Sequence, residues 1–197
     1  MNEYNRIESS FLIQAPSKHE IDFAFRSMRM PYNPDRWFSA AENEELATRL
    51  TKAGPSHRKF LRMIPLRAEI VAPIYFWAQL DTYKVATVRS SESAMVALRN
   101  GFDASKWSFS IETPCESIER FLGAVRRFYA DRKSEIAFRQ CRASMPCGTM
   151  LRSCWYASME TALIIKEQRD CHKLKEWEQF ISAIEEALLV VGVSLGA

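Results

Sequence analysis

The chain has 197 residues, of which 47% are hydrophobic, and it carries 27 basic against 24 acidic residues. This length and composition suffice for one full hydrophobic core, so we predict a single domain over residues 1–197, with residues 190–197 as a frayed tail. The formal charge of +3 is too balanced to indicate nucleic-acid binding by bulk electrostatics, although a few well-placed arginines could still hold a small anion.

The cysteines and the N-terminal segment indicate where the protein works. Five cysteines are an odd number and include no C-x-x-C pair, which favours a reducing compartment and gives no spacing for a zinc site. The N-terminus is polar, and no apolar run approaches the roughly 20 residues that span a bilayer. We therefore expect a cytoplasmic protein without a metal site and without membrane or nucleic-acid partners.

The N-terminal part of the sequence predicts a strand, a helix and a loop. Residues 7–14 alternate weakly between polar and apolar, which is typical of a strand. Ser17 and Glu20 then have the S-x-x-E spacing of a capping box, in which each side chain satisfies a backbone N–H near the other, and apolar residues follow at helical spacing. Two prolines within residues 30–38 exclude a regular element, so this segment is predicted to be a loop.

A second capping box, formed by Ser39 and Glu42, predicts another helix that ends at the Gly-Pro pair of residues 54–55. Residues 61–71 alternate between apolar and basic or polar side chains, which predicts a strand. Pro65 lies inside this run and cannot donate a ladder hydrogen bond, so we expect an edge strand or a bulge here.

Residues 72–95 combine an apolar half with a dense polar half. Pro73 opens a run that would be apolar on most of a helix circumference, so this helix is predicted to be buried. The polar half supplies many donors and acceptors between Gln79 and Ser93, and we interpret the stretch as the floor and wall of a pocket. The alternative that these residues leave open is a core helix that runs into an exposed, serine-rich turn.

The second half of the sequence is mainly helical. Asn100-Gly101 marks a turn and residues 107–111 predict a short aromatic strand. Thr113 and Glu116 form a third capping-box pattern, and apolar residues follow at helical spacing as far as Tyr129. A further helical run covers residues 131–143.

The C-terminal third predicts one strand and two helices. Residues 149–156 suit a strand, Ser158 can cap a helix that reaches Arg169, and an apolar stripe from Leu174 to Val191 marks the last helix. The elements together predict an α+β architecture that is mostly helical.

No catalytic motif of known spacing is present, and with only 6 glycines backbone cradles for phosphate are scarce. An anion would therefore be held by arginine side chains. Arg142 and Arg169 are the best candidates, because planar guanidinium forks near buried surface match phosphate and carboxylate. The alternative for Arg169 is a favourable charge at a helix C-terminus, worth roughly 0.3–1 kcal/mol. His57 follows a Gly-Pro-Ser turn, where an imidazole can contact a ligand or simply end a loop.

Over nearly the whole chain, the order of these elements resembles the flavin-dependent thymidylate synthases, which methylate dUMP with reduced FAD. Residues 54–60, GPSHRKF, are similar to the family's Gly-His-x-Ser turn and E-H-x-x-F strand start, without the glutamate before the histidine. Residues 142–146, RASMP, and residues 158–169 are similar in spacing to its R-x-x-L-P and N-x-R-x-L segments. The resemblance implies a small antiparallel sheet beside the helices.

The family's signature R-H-R-x-x-S is altered here to TYKVAT at residues 82–87. Where the resemblance places residues that hold the flavin, this chain has Thr82, Lys84, Ser158 and Glu160. Where it places nucleotide-binding residues, the matching side chains are present in Gln79, Arg142 and Arg169. Loss of guanidinium forks weakens binding of a diphosphate by several kcal/mol, since each charge-assisted hydrogen bond is worth roughly 1.5–3 kcal/mol. A mononucleotide site could survive that loss.

The resemblance implies a uridylate-type nucleotide ligand and a homotetramer. An active enzyme would be a methyltransferase that uses FAD, methylenetetrahydrofolate and NADPH. The implied roles are catalysis by Arg169, which polarises the pyrimidine; substrate binding by Gln79, Ser93, Arg142 and Arg169; and cofactor binding by His57, Lys84 and Thr87. Two alternatives stay open: a non-catalytic, flavin-free nucleotide-binding or assembly protein that keeps the fold, and a related transferase with a different cofactor.

Overall fold

The structure is a computed structural model that describes residues 4–100 and 107–191. Gly101 of the predicted turn and residues 192–197 of the predicted tail lie outside the described residues. The strands are β1 (Asn5–Ile7), β2 (Ser10–Gln14), β3 (Pro65–Pro73), β4 (Thr87–Ser91), β5 (Ser108–Ser110) and β6 (Met150–Ser158). The helices are α1 (Lys18–Arg29), α2 (Ala40–Lys52), α3 (Ile74–Leu80), α4 (Ala94–Asn100), α5 (Cys115–Ala130), α6 (Glu135–Ala143), α7 (Met159–Arg169) and α8 (Lys175–Val190).

Strand pairing confirms an α+β fold that is mostly helical with a small antiparallel sheet. Four strands form one sheet in the order β2-β3-β6-β4. Strands β1 and β5 form a separate parallel pair, with Asn5 opposite Ser108 and Ile7 opposite Ser110. The single strand predicted over residues 7–14 is therefore wrong, because its two ends pair in different sheets. No helix within residues 4–100 and 107–191 is long and apolar enough to cross a membrane.

Two helices begin where the sequence predicts, because their caps are local. At α1 the Ser17 N–H donates to Glu20 Oε2 at 2.8 Å, and the Glu20 N–H donates to Ser17 Oγ at 3.4 Å. At α2 the same two bonds join Ser39 and Glu42 at 2.8 and 3.3 Å. Each box satisfies donors that a helix start would otherwise leave unpaired.

The described chain divides into two compact units. Among the described residues, the first is drawn from residues 4–10, 70–82, 90–100 and 107–153, and the second from residues 11–69, 83–89 and 154–191. The prediction of one domain over residues 1–197 stays a prediction.

In the first unit, α5 buries the apolar stripe predicted from its spacing. Phe121 is fully buried, with its ring centroid 5.5 Å from that of Trp107, and Phe128 packs 5.3 Å from Phe138 of α6. Burial of each such side chain contributes roughly 1.5–3 kcal/mol. Helix α3 of the same unit is also buried as predicted, and the indole N–H of Trp77 is satisfied by the carbonyl of Ala72 at 3.0 Å.

In the second unit, the core forms where aromatic side chains from distant segments meet. Phe25 of α1 packs against Phe60, and Phe180 of α8 lies 5.3 Å from Phe11 and 5.5 Å from Trp155. These contacts join both ends of the unit's sequence to its central strands, and such non-local burial holds the unit together.

Three predicted elements differ from the structure. Residues 59–63 form a 3-10 helix, where the sequence predicts the start of a strand at residue 61. Pro65 is the first residue of β3, which is an inner strand of the sheet. The expected edge strand or bulge is therefore wrong, because the first residue of a strand can lack an N–H donor. The predicted cap at Thr113 is also wrong. Its N–H donates to the Ser110 carbonyl, and the helix is capped by Pro114 without a side-chain bond. Helix α6 begins at Glu135, after Ser134 as its cap, and not at residue 131.

Candidate functional site

The structure distributes the predicted site residues over both units. Three belong to the first unit: Gln79, Ser93 and Arg142. Four belong to the second unit: His57, Lys84, Thr87 and Arg169.

In the first unit, Ser93 caps a helix and lines a cavity. Its hydroxyl accepts the N–H of Val96 at 3.2 Å, at the start of α4. The cavity has a volume of about 510 Å³ and is lined by residues that include Val71, Glu92, Ser93, Trp107 and Arg152. Glu92 and Arg152 are joined by two hydrogen bonds, since the Glu92 N–H donates to the Arg152 carbonyl and the Arg152 N–H donates to the Glu92 carboxylate.

Gln79 and Arg142 occupy different settings in that unit. Gln79 is half-buried near the end of α3, and its backbone carbonyl accepts a hydrogen bond from the hydroxyl of Thr82 at 2.7 Å. Arg142 is exposed on the last turn of α6, with Nη1 3.3 Å from the sulfur of Met145. Its guanidinium is thus available to a solvent-borne anion.

The pocket predicted over residues 72–95 is only partly present. The apolar half is the buried helix α3, and it runs into an exposed turn at residues 81–82, as the alternative interpretation expected. The far end of the stretch, Glu92 to Ala94, lines the 510 Å³ cavity. Helix burial was therefore predictable from composition, whereas the cavity depends on the neighbouring strand residues.

In the second unit, the guanidinium of Arg169 packs against the rings of Tyr83 and Trp177. It is half-buried at the end of α7, and its Nε donates to the hydroxyl of Tyr83 at 2.9 Å. Its guanidinium carbon lies 4.7 Å from the ring centroid of Trp177 and 5.6 Å from that of Tyr83. Trp177 is fully buried, and His172 packs against its ring at 5.9 Å. A cation over aromatic faces is stabilised electrostatically.

Helix α7 fixes the altered signature segment at two points. Near its first turn, the buried Thr161 donates its hydroxyl to the carbonyl of Val85 at 3.0 Å, and at its last turn Arg169 holds Tyr83. Within the segment, the Thr87 hydroxyl donates to the carbonyl of Tyr83 at 2.6 Å. Lys84 is exposed between these anchors. These hydrogen bonds therefore constrain the backbone of the segment on both sides of Lys84.

His57 lies in an exposed turn of the second unit. Its N–H donates to the carbonyl of Gly54 at 3.0 Å, and Gly54 adopts a φ of +100°, which glycine tolerates best. Within residues 4–100 and 107–191, no cluster of three His, Cys, Asp or Glu side chains could hold a metal ion. Burial raises the pKa of the Cys141 thiol to about 11, so this cysteine is not a ready nucleophile.

A charge cluster centred on two buried side chains lies beside the start of α7, and sequence reasoning identified only Glu160 among its four members. Glu160 is only 5% exposed; its carboxylate accepts hydrogen bonds from Arg62 and lies 3.6 Å from Nε of Arg58, which is also 5% exposed. Arg58 Nη1 further pairs with Glu167 at 2.8 Å. The Glu160 carboxylate raises the pKa of Arg62 above its ordinary value. Glutamates seven residues apart on one helix face were the available signal.

This cluster does not fit the flavin site that the resemblance implies. Where a flavin-holding arginine is implied, Glu160 supplies a buried negative charge, which would repel a diphosphate. The two nearby cations, Arg58 and Arg62, are already paired with the carboxylates of Glu160 and Glu167. The residues present at this position therefore do not fit a flavin diphosphate.

The second unit also contains a cavity of about 970 Å³, along α1, the loop after it and the start of α2. None of the predicted site residues lines it. Phe38 at its wall lies between the guanidinium groups of Arg29 and Arg36, at 3.8 and 4.7 Å. Arg36 pairs with the Glu42 carboxylate at 3.6 Å, whereas Arg29 donates to the backbone carbonyl of Glu42 at 2.7 Å and to the side-chain oxygen of Asn43 at 3.1 Å.

Comparison with known proteins shows the fold. No protein-family profile and no curated protein sequence matches the chain. The thymidylate synthase ThyX of Helicobacter pylori, solved with FAD and dUMP, has a TM-score of 0.71 at 14% identity, over 91% of this chain and 93% of that chain. A second structure of that enzyme with FAD and dUMP has a TM-score of 0.65 at 14% identity, over 90% and 93%.

The UMP/dUMP methylase PolB of Streptomyces cacaoi, bound with 5-Br dUMP, has a TM-score of 0.71 at 12% identity, over 96% of this chain and 95% of that chain. At such low identities the likeness concerns the backbone. The chain thus has a flavin-dependent thymidylate synthase-like fold, as the order of its elements predicts.

Proposed function

We propose that the protein binds a uridylate-type mononucleotide, with Arg169 facing the pyrimidine. The observation that carries this proposal is the state of Arg169: one nitrogen is bonded to Tyr83, while Nη1 and Nη2 have no partner among the residues that the structure describes. A half-buried guanidinium whose two terminal nitrogens are unbonded can donate to the carbonyl oxygens of a pyrimidine. Nucleotides bound to ThyX and PolB, which share the fold, support the same ligand class.

Within the first unit, we propose separately that Arg142 and Ser93 bind a phosphate group and that Gln79 contacts a nucleotide. Arg142 is exposed and its described contact is a weak one with the sulfur of Met145, so pairing with phosphate costs it little. Ser93 is exposed beside the 510 Å³ cavity.

Titration calorimetry with dUMP and UMP tests the nucleotide site. Arg169→Ala should weaken binding roughly 10- to 150-fold, because each charge-assisted hydrogen bond is worth about 1.5–3 kcal/mol. Arg139→Ala is the matched control, since Arg139 is an exposed arginine on α6 without a role in the proposed site. Equal affinity for Arg169→Ala and wild type would remove the role of Arg169, and failure of the wild type to bind either nucleotide would overturn the proposal.

If the protein is a methyltransferase, FAD, methylenetetrahydrofolate and NADPH would be its cofactors. His57, Lys84 and Thr87 would be the flavin-side contacts: His57 and Lys84 are exposed, and the Thr87 hydroxyl already bonds to Tyr83. A flavin-free nucleotide-binding protein is the second candidate, and the enclosed Glu160 carboxylate favours it. The two candidates differ in one simple property, which is retention of flavin.

The visible absorbance spectrum after incubation with FAD and desalting separates these candidates. We expect a colourless protein that still binds dUMP. A retained, roughly stoichiometric flavin band would contradict the flavin-free candidate, and dUMP-dependent oxidation of the reduced flavin would then establish the methyltransferase.

A homotetramer is part of the same proposal. In the second unit, the large apolar side chains of Leu12, Phe23 and Trp37 are 69%, 63% and 90% exposed, and such side chains often mark subunit interfaces. Gel filtration with light scattering at micromolar concentration should therefore give an oligomer. A monomer would overturn this part of the proposal.

A further inference from the structure

Tyr83 stands in a position to control the orientation of Arg169. Its hydroxyl accepts Nε–H of Arg169 at 2.9 Å, and its ring packs nearly perpendicular to Trp177 with centroids 6.3 Å apart. Trp177 is fully buried, so its ring is held in place by close packing. The guanidinium is thus bounded by one hydrogen bond and by the face of a fixed indole ring.

The tyrosine is itself held in place. Its carbonyl accepts the Thr87 hydroxyl at 2.6 Å, and two residues further on the Val85 carbonyl accepts the hydroxyl of Thr161 in α7. Because these bonds fix the backbone on the C-terminal side of Tyr83, its phenol oxygen stays where Nε can reach it. Because the hydrogen bond to Tyr83 uses Nε, both terminal nitrogens of the guanidinium can donate to a ligand. A bond through Nη1 or Nη2 would occupy one of these donors.

We propose that Tyr83 is a positioning residue, which orients Arg169 so that Nη1 and Nη2 meet the carbonyl edge of a pyrimidine base. This inference rests on the proposed nucleotide site. Orientation before binding reduces the entropy that a long arginine side chain loses when the ligand arrives. Tyr83 thereby acts through Arg169 and not by contact with the base.

Tyr83→Phe is the matched perturbation, because it keeps the ring beside Trp177 and removes only the acceptor. The exposed Tyr32, replaced in the same way, is the control. In the ligand-free protein, we expect NMR to show faster solvent exchange of the Arg169 Nε–H in Tyr83→Phe, by at least roughly tenfold, and no change in Tyr32→Phe. An unchanged exchange rate in Tyr83→Phe would overturn the proposal.

The ligand-binding arm measures dUMP affinity in Tyr83→Phe, Arg169→Lys and the double variant. Tyr83→Phe should weaken binding roughly tenfold. The double variant should bind no more weakly than Arg169→Lys, since lysine has no Nε–H for Tyr83 to orient. Independent, multiplying effects would show that Tyr83 does not act through Arg169 and would overturn the proposal.

The two proposals fail in distinguishable ways. If Arg169→Ala weakens dUMP binding and Tyr83→Phe does not, the nucleotide site stands and the role of Tyr83 is overturned. If wild-type protein binds neither dUMP nor UMP, the nucleotide function falls, and the ligand-positioning role of Tyr83 falls with it.

Discussion

Replacing Glu160 by glutamine tests the buried charge cluster of the second unit. The substitution keeps the size of the side chain and removes its negative charge. Glu160 and Arg58 are each 5% exposed, so water cannot readily replace the lost carboxylate at Arg58. Arg58 would keep one counter-charge, Glu167, at 2.8 Å from its Nη1.

The expected loss in the free energy of unfolding depends on which cation stays buried in Glu160→Gln. Breaking a buried ion pair by removing one partner costs roughly 3–5 kcal/mol, because an uncompensated charge remains in a poorly solvated site. The side chain of Arg62 is 53% exposed and regains hydration, and Arg58 retains Glu167. We therefore expect Glu160→Gln to lower the free energy of unfolding by about 3 kcal/mol, at the lower end of that range.

Urea unfolding followed by tryptophan fluorescence measures this loss as a lower midpoint at an unchanged slope. Glu185→Gln is the control, since in its 3.0 Å pair with Lys166 the Glu185 side chain is 47% exposed, and this pair should contribute less than about 1 kcal/mol. Replacing both Glu160 and Arg58, the latter by methionine, should cost less than Glu160→Gln alone, because the buried cation that would keep only Glu167 is then removed as well. Equal losses for Glu160→Gln and the control would refute this reasoning.

Two local interactions give further predictions. Ser158→Ala should lower the free energy of unfolding by about 1 kcal/mol, because the Ser158 hydroxyl caps α7 by accepting the Thr161 N–H at 3.2 Å; an unchanged urea midpoint would contradict this. Arg67, and then the hydrogen bonds of Ser17, lower the pKa of Glu20 from its ordinary 4.5 to about 2. The stability that this carboxylate contributes is therefore full above pH 4.5 and is lost as the pH falls towards 2. Glu20→Gln should flatten that part of the acid-unfolding curve, and an identical curve would exclude Glu20 as a contributor.

Helix starts were readable from the sequence where the stabilising bonds are local. The Ser17–Glu20 and Ser39–Glu42 boxes each join residues three positions apart, so their geometry depends on little else. The stripe of α5 was equally readable, since its spacing repeats with the helix turn and its members are buried.

The same local pattern failed at Thr113, where tertiary packing decides. A Cβ added at Gly148 would lie 2.0 Å from Thr113 Oγ1, which shows how closely the backbone at residue 148 approaches this side chain. The Thr113 N–H is bonded to Ser110, and the helix starts one residue later than the capping pattern predicts. The prediction of one strand over residues 7–14 was wrong for a related reason, because alternation of polar and apolar residues indicates a strand but not the strand with which it pairs.

By itself, the sequence determined the helical segments, the order of elements that resembles the thymidylate synthases, and the candidate cations Arg142 and Arg169. It also showed a carboxylate at residue 160. Only the tertiary structure decided what these charges contact: Arg58 meets Glu167 across 109 positions, and Arg169 meets Tyr83 across 86. Periodicity and capping act over a few residues, whereas ion pairs and ring contacts between distant segments exist only after the chain has folded.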